Sequence, residues 1–161
     1  MELRKVDIGN VWQILALEVK ESQRYFVACN TESIVEAYCA ITSGGVALPF
    51  GIYDDETLVG FLMIGYDCLD WEDAPGVAKG NYSIWRLMID KNHQGKGYGK
   101  QAMELALSYI ATKPCGESDT VWLSYEPENA VAKALYYSFG FRENGEFDDD
   151  EAIALREMPR I

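Results

Sequence analysis

With 161 residues, of which 48% are hydrophobic, the chain is long enough to bury a core and too apolar for a disordered protein, and we expect one domain over residues 1–161. Its net charge of −12 argues against a nucleic-acid partner, because proteins that track phosphates need a basic surface. No apolar run approaches the ~20 residues of a membrane span and the start lacks a signal-peptide pattern, so we expect a cytoplasmic protein that binds no membrane.

One histidine and four scattered cysteines without CxxC spacing predict no metal site and reduced thiols. The excess of acidic residues has two interpretations. It either keeps the protein soluble, which is the default for an acidic surface, or it attracts a cationic substrate.

Two amphipathic helices are predicted near the start of the chain. The first covers residues 10–21 with Asn10 as its candidate N-cap, and the second covers residues 31–42 with Asn30 or Thr31 as its cap. The apolar runs "VALPFGIY" and "LVGFLMIGY", separated by "DDET", then predict a β-hairpin.

The second half of the chain alternates strands and helices. A strand at 82–90, a helix at 98–112 and a strand at 120–125 predict a right-handed parallel crossover. A helix at 129–139 follows, and "GFRENGEF" and "AIALREM" are two more strands joined by "DDDE". This order predicts an α/β fold of the α+β layered type, with a mixed sheet and helices on both faces.

The segment "QGKGYGKQAM" places three glycines between the strand at 82–90 and the helix that follows. Backbone N–H groups at a helix start form an anion site, because the first-turn amides lack partners and the helix dipole is positive there. The segment does not match the Walker pattern, and it lacks the repeated strand and helix order that accompanies a dinucleotide fingerprint. It therefore predicts a bound phosphate, the alternative being glycines that only form a tight turn.

"QGKGYG" resembles the pyrophosphate loop of the GNAT superfamily of N-acetyltransferases, Gln/Arg-x-x-Gly-x-Gly/Ala. "PENAVAKALYYSFGF" resembles the helix of the same family that carries Asn-x-x-Ala-x-x-Leu-Tyr. Within the superfamily, "QRYFVACNTESIVEAY", "YSIWRLMIDKNHQGKGYGK" and "GFRENGEFDDDE" resemble bacterial spermine/spermidine acetyltransferases.

The resemblance implies the GNAT fold, a mixed and mostly antiparallel twisted sheet with a splayed parallel strand pair. It also implies direct transfer of an acetyl group from acetyl-CoA to a primary amine, with spermine or spermidine as the favoured substrate. Two alternatives stay open: another amine (an aminoglycoside, an amino acid or a protein N-terminus), or a non-catalytic module that binds acyl-CoA. Members of the family often form homodimers, which is one option for this chain.

The resemblance also implies residues that bind acetyl-CoA. The diphosphate would lie against the glycine segment, namely Gln94, Gly95, Lys96, Gly97, Tyr98, Gly99 and Lys100. The pantetheine arm would bind the main chain of the preceding strand at Leu87, Met88 and Ile89. Asn129 would contact the cofactor, cap its helix, or do both. We expect a branched residue at Gly97 or Gly99 to lower cofactor affinity before it lowers stability.

Tyr136 matches the family's proton donor to the departing thiolate. A phenol with a pKa near 10 is protonated at pH 7 and can donate, the alternative being a core aromatic. A carboxylate must take a proton from the amine, directly or through water. The candidates for this base are Glu126 at the end of the strand at 120–125, Asp70 and Glu72 in the long loop, and Glu21 in the first helix, and no spacing chooses among them. Of these we name Glu126 as the catalytic residue.

Other acidic and aromatic residues are candidates for the substrate site: Glu21, Asp70, Trp71, Glu72 and Trp85. Such a set could hold a polyamine by charge and cation–π contact, although a solvated acidic loop is the alternative. Trp85 stands where animal polyamine acetyltransferases carry an acid. Arg86 is predicted to share a strand face with Ile84 and Met88 and to be a paired interior charge.

Overall fold

The structure is a computed structural model that describes residues 1–68 and 74–158. The strands are β1 (Glu2–Lys5), β2 (Val46–Asp54), β3 (Thr57–Tyr66), β4 (Tyr82–Ile89), β5 (Thr120–Tyr125), β6 (Arg142–Asp148) and β7 (Glu151–Glu157). The helices are α1 (Val11–Leu15), α2 (Asn30–Thr42), α3 (Tyr98–Ala111) and α4 (Ala130–Ser138), with 3-10 turns at Glu21–Gln23 and Gly76–Ala78.

The seven strands form one sheet in the order β1-β2-β3-β4-β5-β7-β6. All neighbouring strands are antiparallel except β4 and β5, which are parallel and are connected through α3. The predicted fold class, a mixed and mostly antiparallel sheet, is confirmed.

The helices cover both faces of this sheet. On one face, Met103 and Ile110 of α3 pack with Tyr82 and Ile84 of β4. On the other face, Ile14 of α1 and residues of α2 pack against β3 and β4. The predicted apolar face of α3 is buried. In α2, by contrast, Val35, Tyr38 and Ile41 are exposed, and the helix is buried through the smaller residues Ser33, Ala37 and Ala40.

Near the N-terminus the prediction was wrong in two respects. It missed β1, because a run of four residues is too short to give a sequence signal. This strand forms because it pairs with β2, where Leu3, for example, lies opposite Ile52. It also extended the first helix to residue 21, whereas α1 ends at Leu15. The chain leaves the helix because the Glu18 N–H donates to the Asp90 carboxylate and the Glu18 carbonyl accepts from the Lys91 N–H.

Asn10 is the N-cap residue of α1, as predicted, but its side chain makes no capping hydrogen bond, and its amide donates to the Lys5 carbonyl instead. The predicted N-cap of α2 was wrong. The N-cap of α2 is Cys29, whose sulfur accepts from the Glu32 N–H. Asn30 is the first residue of α2 and is buried, and its amide donates to the Ile14 carbonyl at 2.8 Å. Asn30 therefore joins α1 to α2.

A β-bulge changes which face the residues of β4 occupy. Arg86 lies opposite Met63 of β3 and Ile84 lies opposite the next residue, so Trp85 is the additional residue of the bulge. Ile84 consequently packs on the α3 face, while Trp85 and Met88 pack on the face of α1 and α2. The prediction that Arg86 shares a face with Ile84 was wrong, because a bulge reverses the alternation of side chains.

β4 and β5 pair only at their beginnings, where Tyr82 lies opposite Val121 and Ser83 lies opposite Trp122. Beyond Ser83 the two strands separate. The splayed parallel pair predicted from the family resemblance is present, and the resulting gap holds the candidate site.

Candidate active site

A cavity of about 550 Å³ lies in the gap between β4 and β5 and extends to the glycine segment and α4. We call it the glycine-loop cavity. The predicted cofactor-binding residues that line it are Leu87, Met88, Ile89, Gln94, Gly95, Gly97, Tyr98, Gly99, Asn129 and Tyr136. The exposed lysines at 96 and 100, predicted with them, do not line it.

The glycine segment turns the chain from β4 into α3. Gly95 and Gly97 have left-handed φ angles of 77° and 81°, a conformation that side-chain-bearing residues rarely adopt. Gly97 is the N-cap of α3 and provides no side-chain hydrogen bond. The first helical hydrogen bond runs from the Gln101 N–H to the Gly97 carbonyl, which leaves the N–H groups at 98–100 without helical partners.

Gly97 and Gly99, the two glycines at which we expected a branched residue to lower cofactor affinity, differ in conformation. At Gly97 the positive φ makes any side chain strained, so we expect a substitution there to lower stability directly, while its effect on cofactor affinity stays a prediction. At Gly99 an added Cβ would lie 3.6 Å from the Leu135 side chain, an ordinary contact. The fold itself therefore tolerates alanine at Gly99.

Two side chains stabilise the turn between β4 and the glycine segment. Asp90 is buried and accepts from the N–H groups of Glu18 and Asn92 at 3.1 and 3.0 Å. Burial alone would raise the pKa of Asp90, but these hydrogen bonds outweigh it and lower the pKa, so the carboxylate is ionised. The Gln94 amide donates to the Ile89 carbonyl at 3.0 Å and to the Gln23 side chain at 2.8 Å. These bonds fix the turn over residues 90–94 that leads from β4 into the glycine segment.

Asn129 is the N-cap of α4, and its side-chain oxygen accepts from the Ala132 N–H at 3.1 Å. Of the two roles considered for Asn129, the structural one is confirmed. Asn129 also lines the glycine-loop cavity, so the role in cofactor binding stays a prediction.

Tyr136 of α4 is 9% exposed and packs between Tyr125 and Phe141, with ring centroids 5.5 and 6.2 Å away. Its hydroxyl makes no hydrogen bond to residues 1–68 or 74–158. Burial, with a further contribution from Glu151, raises the pKa of Tyr136 to about 12. Tyr136 is therefore a protonated phenol that lines the glycine-loop cavity at neutral pH.

A second cavity, of about 970 Å³, lies on the other side of the gap. We call it the acidic cavity, because the charged residues among 1–68 and 74–158 that line it are six carboxylates and one guanidinium, namely Glu36, Glu126, Asp148, Asp149, Asp150, Glu151 and Arg86. Residues from the two strands and from β7 line both cavities, namely Ile84, Trp85, Arg86, Ser124 and Glu151. The two cavities thus meet where β4 and β5 separate.

Arg86 lies at this junction and is paired, as the sequence predicted. Its Nη2 is 2.8 Å from a carboxylate oxygen of Glu36 on α2, and its Nη1 donates to the Trp85 carbonyl at 3.0 Å. Burial raises the pKa of Glu36, and Arg86 offsets part of this effect. The pair connects α2 to the bulge of β4.

Glu151 begins β7 and accepts a hydrogen bond from the Ser124 hydroxyl at 2.5 Å. Burial raises the pKa of Glu151 above its ordinary value. Burial likewise raises the pKa of Asp148 at the end of β6, and Asp149 contributes to the same effect. The acidic cavity therefore holds carboxylates with an elevated affinity for protons.

The remaining predicted site residues have different locations. Trp85 lines both cavities, and Glu126 lines the acidic cavity alone. Glu21 lies in a 3-10 turn beyond α1, pairs with Arg24 at 2.8 Å and lines neither cavity, so the structure does not bring it to the site. The predicted residues Asp70, Trp71 and Glu72 lie outside the described residues.

Sequence reasoning missed several residues of the acidic cavity, namely Glu36, Asp148, Asp149, Asp150 and Glu151. The last four form the run "DDDE", which was interpreted only as the connection between two strands. The signal was the charge of that run, and its location depends on the pairing of β7 with β5.

Every helix within residues 1–68 and 74–158 is too short or too polar to cross a lipid bilayer.

Comparison with known proteins identifies the family to which the chain belongs. The model of the acetyltransferase (GNAT) family matches residues 12–141. The spermine/spermidine N(1)-acetyltransferase of Bacillus subtilis strain 168 is 34% identical over 166 residues, which cover 98% of this chain and 99% of the relative.

Solved structures share the fold at low identity. The spermidine N-acetyltransferase from Vibrio cholerae, in complex with CoA and spermine, superposes with a TM-score of 0.68 at 18% identity and covers 96% of this chain and 94% of its own. The aminoglycoside acetyltransferase AAC(6')-Ib, in complex with coenzyme A and kanamycin, has a TM-score of 0.76 at 16% identity, with coverages of 97% and 94%. The predicted family and class of enzyme are confirmed: the chain belongs to the acetyltransferase (GNAT) family.

Proposed function

We propose that this chain transfers an acetyl group from acetyl-CoA to a primary amine of a polyamine such as spermidine or spermine. One observation carries the proposal: the gap between β4 and β5 joins the glycine-loop cavity to the acidic cavity. An anion-binding compartment and a cation-binding compartment thus meet at a single junction, where a group can pass between two bound molecules.

The residues of the glycine-loop cavity fit the cofactor predicted from the sequence. The unpartnered N–H groups at 98–100 and the positive end of α3 suit a diphosphate. Beyond Ser83 no strand of the described residues pairs with the edge of β4 that faces β5, so main-chain groups on this edge are available to the amide-rich pantetheine arm. Acetyl-CoA would supply the activated acetyl group at the junction of the cavities.

The acidic cavity fits a polyamine by charge. A polyamine carries several ammonium groups at neutral pH, and the described part of the cavity lining, with its excess of carboxylates over the one guanidinium of Arg86, attracts such a ligand. Trp85 offers an aromatic face to an ammonium or to the methylene chain. The Bacillus subtilis relative, whose name specifies spermine and spermidine, supports the same substrate class.

The chemistry requires three actions from the protein. A carboxylate takes a proton from the ammonium so that the nitrogen can attack. An N–H group on the open edge of β4 polarises the acetyl carbonyl. Tyr136 donates its proton to the departing sulfur. Burial raises the pKa of the Tyr136 phenol, and it raises the pKa of a thiol in the same place, because burial favours the neutral form of both groups. The proton transfer from phenol to thiolate is therefore not made harder by the raised pKa of Tyr136 alone.

The higher TM-score of the aminoglycoside enzyme concerns the fold and does not favour an aminoglycoside substrate, because the identity is only 16%.

An assay of free thiol release from acetyl-CoA compares spermidine, spermine and putrescine with kanamycin, an amino acid and an N-terminal peptide. We expect turnover with the polyamines. Release of thiol with another amine and with none of the polyamines would contradict the proposed substrate.

A further inference from the structure

We propose that Glu151, and not Glu126, is the catalytic base that takes the proton from the acceptor amine. This inference rests on the proposed function, since it names the residue that activates the amine in the same reaction.

The position of Glu151 carries the inference. Glu151 and Ser124 line both the glycine-loop cavity and the acidic cavity, so their side chains lie where an amine must approach the acetyl group. Glu126 lines the acidic cavity alone. A base must reach the nitrogen that attacks, and of the carboxylates within residues 1–68 and 74–158 it is Glu151 that lines both cavities.

The hydrogen bonding of Glu151 suits a base. One carboxylate oxygen accepts from the Ser124 hydroxyl at 2.5 Å, which orients the group. The other oxygen makes no hydrogen bond to the described residues. It can therefore accept a hydrogen bond from an incoming ammonium without breaking an existing contact.

Titratable and charged groups from several elements face Glu151. The charged ones are Arg86 from β4, Glu126 after β5, Asp148 from the end of β6 with its neighbour Asp149, and Glu36 of α2 through its pair with Arg86; the neutral phenol of Tyr136 from α4 is the remaining one. Burial is the largest cause of the raised pKa of Glu151; the acids add to it, whereas Ser124 and Arg86 oppose it. A base whose pKa moves toward neutrality accepts protons more effectively than an ordinary carboxylate.

The protons balance as follows. Glu151 takes one proton from the ammonium and becomes neutral, and the amine forms the new C–N bond to the acetyl carbon as the C–S bond breaks. Tyr136 gives its proton to the sulfur, and the phenolate recovers a proton from the nitrogen of the new amide. Glu151 then releases its proton to solvent. The sum is one ammonium and one thioester converted to one amide, one thiol and one proton.

The test compares kcat and the pH profile of kcat/KM for wild type, Glu151→Gln and the matched control Glu126→Gln, with spermidine and the thiol assay. For Glu151→Gln we expect kcat to fall about 10²-fold or more, the magnitude of general base catalysis. Its activity should then rise with pH as the free amine forms. Glu126→Gln should raise KM for spermidine and keep the wild-type pH profile.

Ser124→Ala gives an independent readout. Loss of its hydrogen bond removes an interaction that lowers the pKa of Glu151, so the acidic limb of the profile should move to higher pH. A purely structural role for Glu151 would not move this limb. Circular dichroism and calorimetry with acetyl-CoA show whether each variant is folded, and Ser124→Ala carries the test if Glu151→Gln does not fold.

Two outcomes overturn the inference alone: wild-type kcat and pH profile in Glu151→Gln, or the large loss of kcat in Glu126→Gln instead. If wild type acetylates only an amine that is not a polyamine, the proposed substrate fails and the same variants are compared on that amine. If none of the amines tested leads wild type to release thiol from acetyl-CoA, the proposed function and this inference both fail.

Discussion

Arg86 of β4 and Glu36 of α2 form an ion pair at 2.8 Å in which the two side chains are only 19% and 28% exposed. Because Arg86 also donates to the carbonyl of Trp85, the pair holds the bulge at which β4 begins to diverge from β5. A side chain on a peripheral helix thereby fixes the backbone at the junction of the two cavities.

The first prediction concerns the stability that this pair provides. We expect Arg86→Ala to lower the free energy of unfolding by about 1–3 kcal/mol, less than for a fully buried pair, because it leaves Glu36 partly buried and uncompensated. Urea denaturation measures the change. Arg24→Ala breaks the exposed pair with Glu21 and should cost less than about 1 kcal/mol. If the two variants lose the same free energy of unfolding, burial does not make the Arg86–Glu36 pair more important for stability than the exposed pair.

The second prediction separates ligand contact from backbone strain in the glycine segment. Alanine at Gly99 meets no steric obstacle, so stability should be unchanged or raised by up to about 1 kcal/mol. Its methyl group should nevertheless weaken acetyl-CoA binding about tenfold, as expected if one charge-assisted hydrogen bond is lost. Calorimetry measures the affinity. Gly97→Ala should lower stability by about 1–2 kcal/mol because of its φ of 81°. Wild-type affinity in Gly99→Ala would exclude a diphosphate at these amides.

The third prediction concerns the proton donor. Tyr136→Phe removes only the hydroxyl, so we expect acetyl-CoA binding to be retained and kcat to fall about 10²-fold. Tyr137→Phe is the matched control, since the Tyr137 ring packs with the side chains of Lys133 and Arg142 and does not line the glycine-loop cavity. The control should keep near-wild-type kcat. Comparable activity of the two variants would remove Tyr136 from the mechanism. A module that only binds acyl-CoA would show no turnover in wild type.

The fourth prediction concerns stability against pH in the acidic cavity. Burial, together with Asp149, raises the pKa of Asp148, so the folded chain holds this proton more tightly than the unfolded chain. Stability should therefore fall as the pH rises from the ordinary value of 3.8 through the raised pKa. Asp148→Asn removes the ionisable group and with it this loss of stability, so the variant should be more stable than wild type at pH 7. Its KM for spermidine should be higher, because the acidic cavity loses one carboxylate.

Thermal unfolding at several pH values tests the same substitution. The advantage of Asp148→Asn should disappear below pH 3.8, where the wild-type carboxyl is protonated in both states. Glu104→Gln, at an exposed position of α3, is the control and should show no such dependence. Lower stability of Asp148→Asn at pH 7 would contradict the cost of ionising this carboxylate.

The features that the sequence alone predicted are local ones. The glycine segment, the start of α3 and the helix that carries Tyr136 follow from backbone freedom and from apolar residues that recur on one helix face. Neighbouring residues determine these properties, and the family resemblance carried by the same local motifs named in advance ten of the residues that line the glycine-loop cavity.

The tertiary structure decided the features that depend on distant residues. Glu18 leaves the predicted first helix because its backbone bonds with residues 90 and 91, and a bulge against β3 moves Arg86 to the face of α2. The acidic cavity combines Glu36 of α2 with the run "DDDE", which the order of β5, β7 and β6 brings beside β4. Hydrogen bonds, pairing and burial between segments far apart in the chain have no local signature in either segment, and for this reason the acceptor side of the site was visible only in the fold.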